Sequence, residues 1–165
     1  MSRNLYASDG IEIYKVTPDG ILTLFASGLS GVMGLAVDAA GNIHEADTGS
    51  GNVYKFTPQG VQTTFASGLE MFDFGGTVPS MVFDGQGNLF VPSSSLYEDC
   101  PGCATYHGAI YKISPQGAVS TVDLPSGYRA GAAVGLDSSG NLFVTAFYSN
   151  YFRPFSNTPR KEETQ

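Results

Sequence analysis

Tyr54-Lys55-Phe56-Thr57-Pro58-Gln59-Gly60 is the second of three copies of one phrase. The others are Tyr14-Lys15-Val16-Thr17-Pro18-Asp19-Gly20 and Tyr111-Lys112-Ile113-Ser114-Pro115-Gln116-Gly117. A second phrase alternates with it, as Asp38-Ala39-Ala40-Gly41-Asn42, Asp84-Gly85-Gln86-Gly87-Asn88 and Asp137-Ser138-Ser139-Gly140-Asn141. A third, Phe25-Ala26-Ser27-Gly28-Leu29, recurs as Phe65-Ala66-Ser67-Gly68-Leu69. Self-similarity at a period of about 40 residues marks a repeat architecture.

One repeat reads as four short strands. Gly34–Asp38 is apolar and suits a strand buried on both faces, strand a. Asp-x-x-Gly-Asn is a tight turn, with glycine supplying positive φ and the Asp and Asn side chains bonding nearby backbone. Asn42–Ala46 is strand b, and Gly51–Phe56 is strand c. Thr-Pro-x-Gly forms the next turn, in which proline sets φ and glycine closes. Val61–Ala66 is strand d. Four antiparallel strands in about 40 residues make one blade of a β-propeller.

The same residues carry a family resemblance. Gly34-Leu35-Ala36-Val37-Asp38-x-x-Gly41-Asn42-Ile43, then Ala46-Asp47, then Asn52-Val53-Tyr54-Lys55-Phe56-Thr57-Pro58-x-Gly60 resembles an NHL-type repeat. It is similar to the wider set of six-bladed propellers that includes the regucalcin/gluconolactonase lactonases and the streptogramin lyases. The resemblance spans about Asn4 to Phe147 and rests mostly on turn and core positions, so it speaks to fold more than function.

The expected class is therefore all-β: four-stranded antiparallel blades, about three per chain, half of a six-bladed ring. The expected units lie within residues 1–149: a partial blade at 4–26, blades at 31–66 and 79–122, and a partial blade at 132–147. Residues 150–165 form a polar tail. Thirteen strands are too few to close a propeller, and open edges are templates for pairing. A homodimer completing the ring is expected, with a truncated propeller as the plainer alternative.

Composition agrees with many strands and tight turns. The 165 residues include 21 Gly and 9 Pro, and only 14% are charged. A net charge of −7 argues against a phosphate backbone as partner, so no nucleic acid is expected. No stretch reaches the roughly 20 apolar residues of a membrane span. The first residues lack the apolar core of a signal peptide, which suits a cytoplasmic chain, or an extracytoplasmic one if it is a fragment. Cys100-Pro101-Gly102-Cys103 can be a stapled or inert turn, a metal site with His107, or a redox pair. No helical pattern follows it to favour the redox reading.

In a blade the a–b and c–d turns share one face, and here all are minimal. The irregular segments gather on the other rim: Glu70–Val78, Pro92–Gly108, Pro125–Gly131 and Phe147–Phe152. Long loops on a rigid scaffold are where binding and catalysis concentrate. The plainer reading is that they cap the ring or build the dimer contact.

The repeats also compare with one another. The b strands align as Asn4-Leu5-Tyr6-Ala7-Ser8-Asp9, Asn42-Ile43-His44-Glu45-Ala46-Asp47, Asn88-Leu89-Phe90-Val91-Pro92-Ser93 and Asn141-Leu142-Phe143-Val144-Thr145-Ala146. His44 replaces an aromatic residue, and Glu45 replaces Ala or Val. A carboxylate there is costly unless paired, hydrogen-bonded or bound to a cation. Neighbours on a strand point to opposite faces, so His44 and Glu45 serve different sites. Lys55 and Arg129 are candidate partners of Glu45. A solvated edge or a satisfied polar pair is the plainer account of the dipeptide.

The functional expectation is a divalent cation, calcium first with magnesium or zinc as options, on oxygens from Glu45, Asp47, Asp73, Glu98 and Asp99. Such an ion polarises a lactone carbonyl and activates water. His44, Glu45 and His107 are the candidate proton carriers. Tyr97, Tyr106, Tyr128, Arg129 and Tyr148 are candidate substrate contacts. The expected activity is hydrolysis of a small lactone or ester, of sugar-lactone or acyl-homoserine-lactone type. A non-catalytic NHL-like platform for protein or glycan is the alternative, and a streptogramin-lyase-like elimination the second. The lactonase ligands that the resemblance implies just before strand a fall here on Met33, Pro79 and Ala132, which donate no side-chain oxygen. The Asp-x-x-Gly-Asn triplets occur in every copy on the opposite face and read as turns.

Overall fold

The computed structural model describes residues 4–71, 80–100, 103–124 and 128–148, with side chains outside 94–100, 103–108, 128–132 and 146–148. Thirteen strands are found among them: β1 (Leu5–Ser8), β2 (Ile13–Val16), β3 (Leu22–Ala26), β4 (Val32–Val37), β5 (Ile43–Asp47), β6 (Asn52–Phe56), β7 (Gln62–Ala66), β8 (Val82–Phe83), β9 (Leu89–Cys100), β10 (Cys103–Ile113), β11 (Val119–Asp123), β12 (Tyr128–Leu136) and β13 (Leu142–Tyr148). They form four antiparallel sheets, β1-β2-β3, β4-β5-β6-β7, β8-β9-β10-β11 and β12-β13. No helix is long and apolar enough to cross a membrane among the described residues.

The turns explain why each sheet folds locally. Gly20, Gly60 and Gly117 donate their N–H to the carbonyls of Thr17, Thr57 and Ser114 at 2.8–2.9 Å. The hydroxyls of the same Thr and Ser accept from Ile21, Val61 and Ala118 N–H at 3.1–3.2 Å. All three glycines hold φ between 82° and 86°, a region costly for any other residue. In the alternating turns, Asp38 Oδ1 accepts from Ala40 and Asn42 N–H at 2.9 Å, and Oδ2 from Asn42 Nδ2 at 2.7 Å. Asp84 and Asp137 repeat the pattern. These triplets are turn devices, as the sequence implies.

The sheets stack face to face, and each seam is an apolar cluster. Ile13, Leu29, Val32, Ile43 and Phe56, with Tyr6 and Phe25, fill the first seam. Met33, Ala46, Val53, Leu69, Met81, Leu89, Val91 and Ile113, with Phe65 and Phe83, fill the second. Phe90, Ile110 and Val134, with Leu136, Leu142 and Val144, fill the third. β4 lies beside both β1 and β8, and β12 beside β8, so inner strands neighbour one another along the stack. The Cβ position of Gly41 lies 3.8 Å from the ring of Pro58, so a–b and c–d turns share one face.

One expectation changes. Residues 92–108 read as an irregular rim loop, yet β9 and β10 pair from Leu89↔Ile113 out to Cys100↔Cys103, with one register shift at the tip. Main-chain pairing needs no apolar alternation, so a polar hairpin escapes a reading based on hydrophobic pattern. Pro92 sits beyond the last pairing of β8, at Phe90, where β9 keeps one neighbouring strand and proline's missing N–H is tolerated. Likewise β12 begins at Tyr128, inside the segment read as the loop Pro125–Gly131, and β13 runs to Tyr148.

Candidate functional site

β5 positions the unusual residues. Its five residues, Ile43-His44-Glu45-Ala46-Asp47, are all buried, because the strand lies between β4 and β6 with a seam on each face. Ile43 enters the first seam and Ala46 the second. His44 and Glu45 therefore face opposite ways, as the two-residue period requires.

His44 faces the second seam. Its ring stands edge-on to Phe65 at 4.6 Å and to Phe83 at 4.9 Å between centroids. Nε2 lies 3.3 Å from Asp38 Oδ2, and Nδ1 has no partner among the described residues. Burial lowers the imidazole's proton affinity, and Asp38 opposes that only in part, so the ring is held neutral. Burial acts to raise Asp38, but the Asn42 donors and His44 outweigh it and hold its carboxyl below the usual range.

Glu45 faces the first seam, opposite Leu35 on β4 and Tyr54 on β6. It is 0% exposed, and neither carboxyl oxygen has a hydrogen-bond partner among the described residues. Burial, aided by the negative charge of Asp47, pushes its pKa up to about 9. The expected pairing with Lys55 is not made. Lys55 is the cross-strand partner of His44, and its Nζ lies 3.9 Å from Asp38 Oδ2. Register explains this, since residues directly opposite share a face and Lys55 sits one position out of step with Glu45.

Asp47 is a clasp. Oδ2 accepts from Ser30 N–H at 2.6 Å and Oδ1 from Ser50 N–H at 2.8 Å, tying the end of β5 to the segments before β4 and β6. Ser93, its equivalent on β9, likewise bonds through Oγ to the Glu70 carbonyl. The sequence comparison missed this role and that of Asp38 as anchor of His44. Both were legible in part, since Asp9, Asp47 and Ser93 recur at one position and Lys55 is in register with His44.

The remaining candidates are not brought together by described side chains. Asp73 lies outside the described residues. The backbones of Tyr97, Glu98 and Asp99 lie on β9, of Tyr106 and His107 on β10, of Tyr128 and Arg129 on β12, and of Tyr148 on β13. Their side chains lie outside the described set, as do those of Cys100 and Cys103. Among the described residues no three His, Cys, Asp or Glu side chains group to hold a metal ion. Glu45 has free oxygens for a cation, but those of Asp47 are engaged by backbone N–H. One carboxylate falls far short of the six to eight oxygens calcium takes, so the described residues do not fit the ion.

Solved structures that resemble this architecture include the following two. A streptogramin B lyase superposes with a TM-score of 0.60 at 18% identity, over 86% of this chain and 44% of that one. A protein described as a gluconolactonase superposes with a TM-score of 0.57 at 16% identity, over the same shares. The fold is that of a partial β-propeller. The chain spans less than half the length of either structure, and identities this low bear on fold alone. No family model and no curated protein matches the chain.

Proposed function

We propose that this propeller segment belongs to a hydrolase of small lactones or esters, in which Glu45 carries a proton. The observation that supports the reading is the carboxyl itself. It is fully buried and unpartnered among the described residues, where the other blades place Ala7, Val91 and Val144. Leaving such a group unsatisfied costs about 1–3 kcal/mol, a cost tolerated more readily where chemistry uses the group. A carboxyl kept protonated at neutral pH is a general acid. When water adds to a lactone carbonyl and the ring C–O bond breaks, the departing oxygen needs the proton such a group donates. No step is assigned to a calcium ion, which the described residues do not fit and which a protonated Glu45 would not hold.

The burial of Glu45 also favours a second reading, a non-catalytic binding platform, because a group with no exposed surface touches no ligand in this conformation. An elimination like that of a streptogramin lyase is the third. One assay separates them. The purified protein is incubated with sugar, acyl-homoserine and aryl lactones, with calcium or with chelator, beside Glu45→Gln. Hydrolysis adds the mass of one water to the product, whereas elimination adds none. The hydrolase reading expects water uptake that Glu45→Gln abolishes while the fold persists. Absence of turnover on every lactone, with and without calcium, overturns it in favour of the platform.

A further inference from the structure

Beyond its blade, the pair β9 and β10 runs on as a two-stranded ribbon. β8 pairs with β9 only as far out as Phe90, and β11 with β10 only from Ala109 inward. From Gly108↔Ser94 to Cys103↔Cys100 the two strands pair with each other alone. A two-stranded hairpin is marginally stable by itself. This one carries the backbone of Tyr97, Glu98, Asp99, Tyr106 and His107, all candidate site residues. Its register shifts once, between Cys103 and Ala104, where Ala104 pairs with Glu98 and Asp99 has no opposite residue. Ser93-Ser94-Ser95 offers no apolar alternation to fix that register.

The chain's two cysteines close this ribbon. Cys100 ends β9, Cys103 begins β10, and they are Cα partners across the tip. Opposite residues on antiparallel strands hold their Cα atoms about 4.5 or 5.5 Å apart, according to whether the pair is hydrogen-bonded. Both distances fall inside the roughly 4.4–6.8 Å that a disulfide spans. The dipeptide Pro101-Gly102 points the same way. Pro then Gly is the preference of a type II turn, which holds its first and fourth Cα atoms within about 7 Å. The other two uses of Cys-x-x-Cys fit this placement less well. Both cysteines lie on strands, whereas a redox-catalytic pair gains its reactivity at a helix N-terminus. His107 lies four residues along β10 from Cys103, about 13 Å in extended chain. A thiolate and an imidazole bonded to one zinc at about 2.3 and 2.1 Å do not bridge that span.

We propose that Cys100 and Cys103 form a disulfide that clasps the tip of the β9–β10 ribbon and fixes the register of the rim residues it carries. The bond forms by exchange with a small-molecule disulfide such as oxidised glutathione. One cysteine thiolate attacks a sulfur of that disulfide, giving a mixed disulfide and releasing one thiol. The second cysteine thiolate then attacks the protein sulfur and displaces the other small thiol. Two protein thiols are oxidised, one small disulfide is reduced to two thiols, and the protons leave the cysteines for the released thiols. A dithiol reductant reverses both steps. The clasp is shut in an oxidising compartment and opens in a reducing one, so the order of this rim segment follows the redox poise around the chain.

Thiol mass spectrometry tests this directly. The purified chain is fully reduced, freed of reductant and incubated with oxidised glutathione and a chelator, then denatured and alkylated. It holds only these two cysteines, so the products are unambiguous. The expected product is a single chain lighter by two hydrogen atoms that takes up no alkyl group. Cys100→Ser and Cys103→Ser should each stop at a mixed disulfide with glutathione. Two alkylated thiols, two mixed disulfides or disulfide-linked pairs of chains overturn the proposal. Amide hydrogen exchange then compares the oxidised and reduced wild type. Residues 94–108 should exchange about tenfold more slowly when oxidised, with β4–β7 unchanged. Cys100→Ser/Cys103→Ser should show no such difference between the two conditions. Equal exchange in the oxidised and reduced wild type overturns the clasp, because the register would then be held without it.

Discussion

His44 Nε2 lies 3.3 Å from Asp38 Oδ2, the same oxygen that accepts from Asn42 Nδ2 at 2.7 Å and lies 3.9 Å from Lys55 Nζ. A turn aspartate thereby anchors a seam histidine. The turn explains Asp38 without His44, because Asp84 and Asp137 make the same turn bonds.

His44→Phe is therefore expected to cost less than about 1 kcal/mol at pH 7.5, because Phe90 fills the same position and the hole is already aromatic. Burial keeps the folded proton affinity of His44 below its ordinary value of 6.5. Its contribution is thus complete above pH 6.5 and is lost as pH falls below it. Urea unfolding at pH 7.5 and 5.5 checks this: the wild type weakens on acidification more than His44→Phe does. Equal slopes would show that His44 does not titrate with folding.

Glu45 works in the opposite direction. Its folded pKa of about 9 stands above the ordinary 4.5, so the folded state holds a proton that the unfolded chain releases between those values. Stability falls as pH rises through that window, by at most about 1.4 kcal/mol per pH unit for one group. His44 contributes little above about pH 7.5, and comparison with Glu45→Leu cancels the other groups that titrate in this window. Melting temperature is expected to drop from pH 7 to pH 9 in the wild type. Glu45→Leu, which places an aliphatic chain beside Leu35 and Tyr54, should flatten that drop and match or exceed wild-type stability at pH 9.

Asp47 differs in kind from Glu45 although both are buried. Its two oxygens hold the N–H groups of Ser30 and Ser50. Asp47→Ala orphans both donors and is expected to cost about 3 kcal/mol, at 1–3 kcal/mol for each group left unsatisfied. Asp47→Asn keeps one acceptor and should cost less. Guanidinium unfolding should show a lower midpoint with an unchanged slope. A neutral Asp47→Ala would mean that the loops before β4 and β6 are held by other contacts.

The blades were legible because turns are local. Thr-Pro-x-Gly and Asp-x-x-Gly-Asn each carry their own φ requirement and hydrogen bonds, so a few residues suffice to place a strand end. The identity of the odd residues was legible too, since His44 and Glu45 break a pattern set by three other copies. Their partners were not. Whether Lys55 meets Glu45 or Asp38 depends on cross-strand register, and whether Asp47 binds an ion or backbone depends on where the Ser30 and Ser50 N–H groups point. The hairpin of β9 and β10 was missed because main-chain pairing leaves no hydrophobic period in Ser93-Ser94-Ser95.

The turn glycines separate backbone strain from seam packing. Gly20, Gly60 and Gly117 share the same turn and nearly the same φ, 82°, 86° and 83°, so alanine meets the same left-handed penalty at each, about 1–2 kcal/mol. They differ in what stands over them. Alanine at 117 also drives its methyl into the Phe65 carbonyl, at 60 it makes ordinary contact with the Phe25 carbonyl, and at 20 it meets open space. Gly117→Ala should lose the most stability, with Gly60→Ala and Gly20→Ala close together. The excess at 117 is then the seam's own contribution, read from denaturant midpoints at constant slope. Equal losses at all three would mean that the third sheet shifts freely against the second, contrary to a seam as tightly filled as Met33, Val53, Leu89 and Ile113 make it.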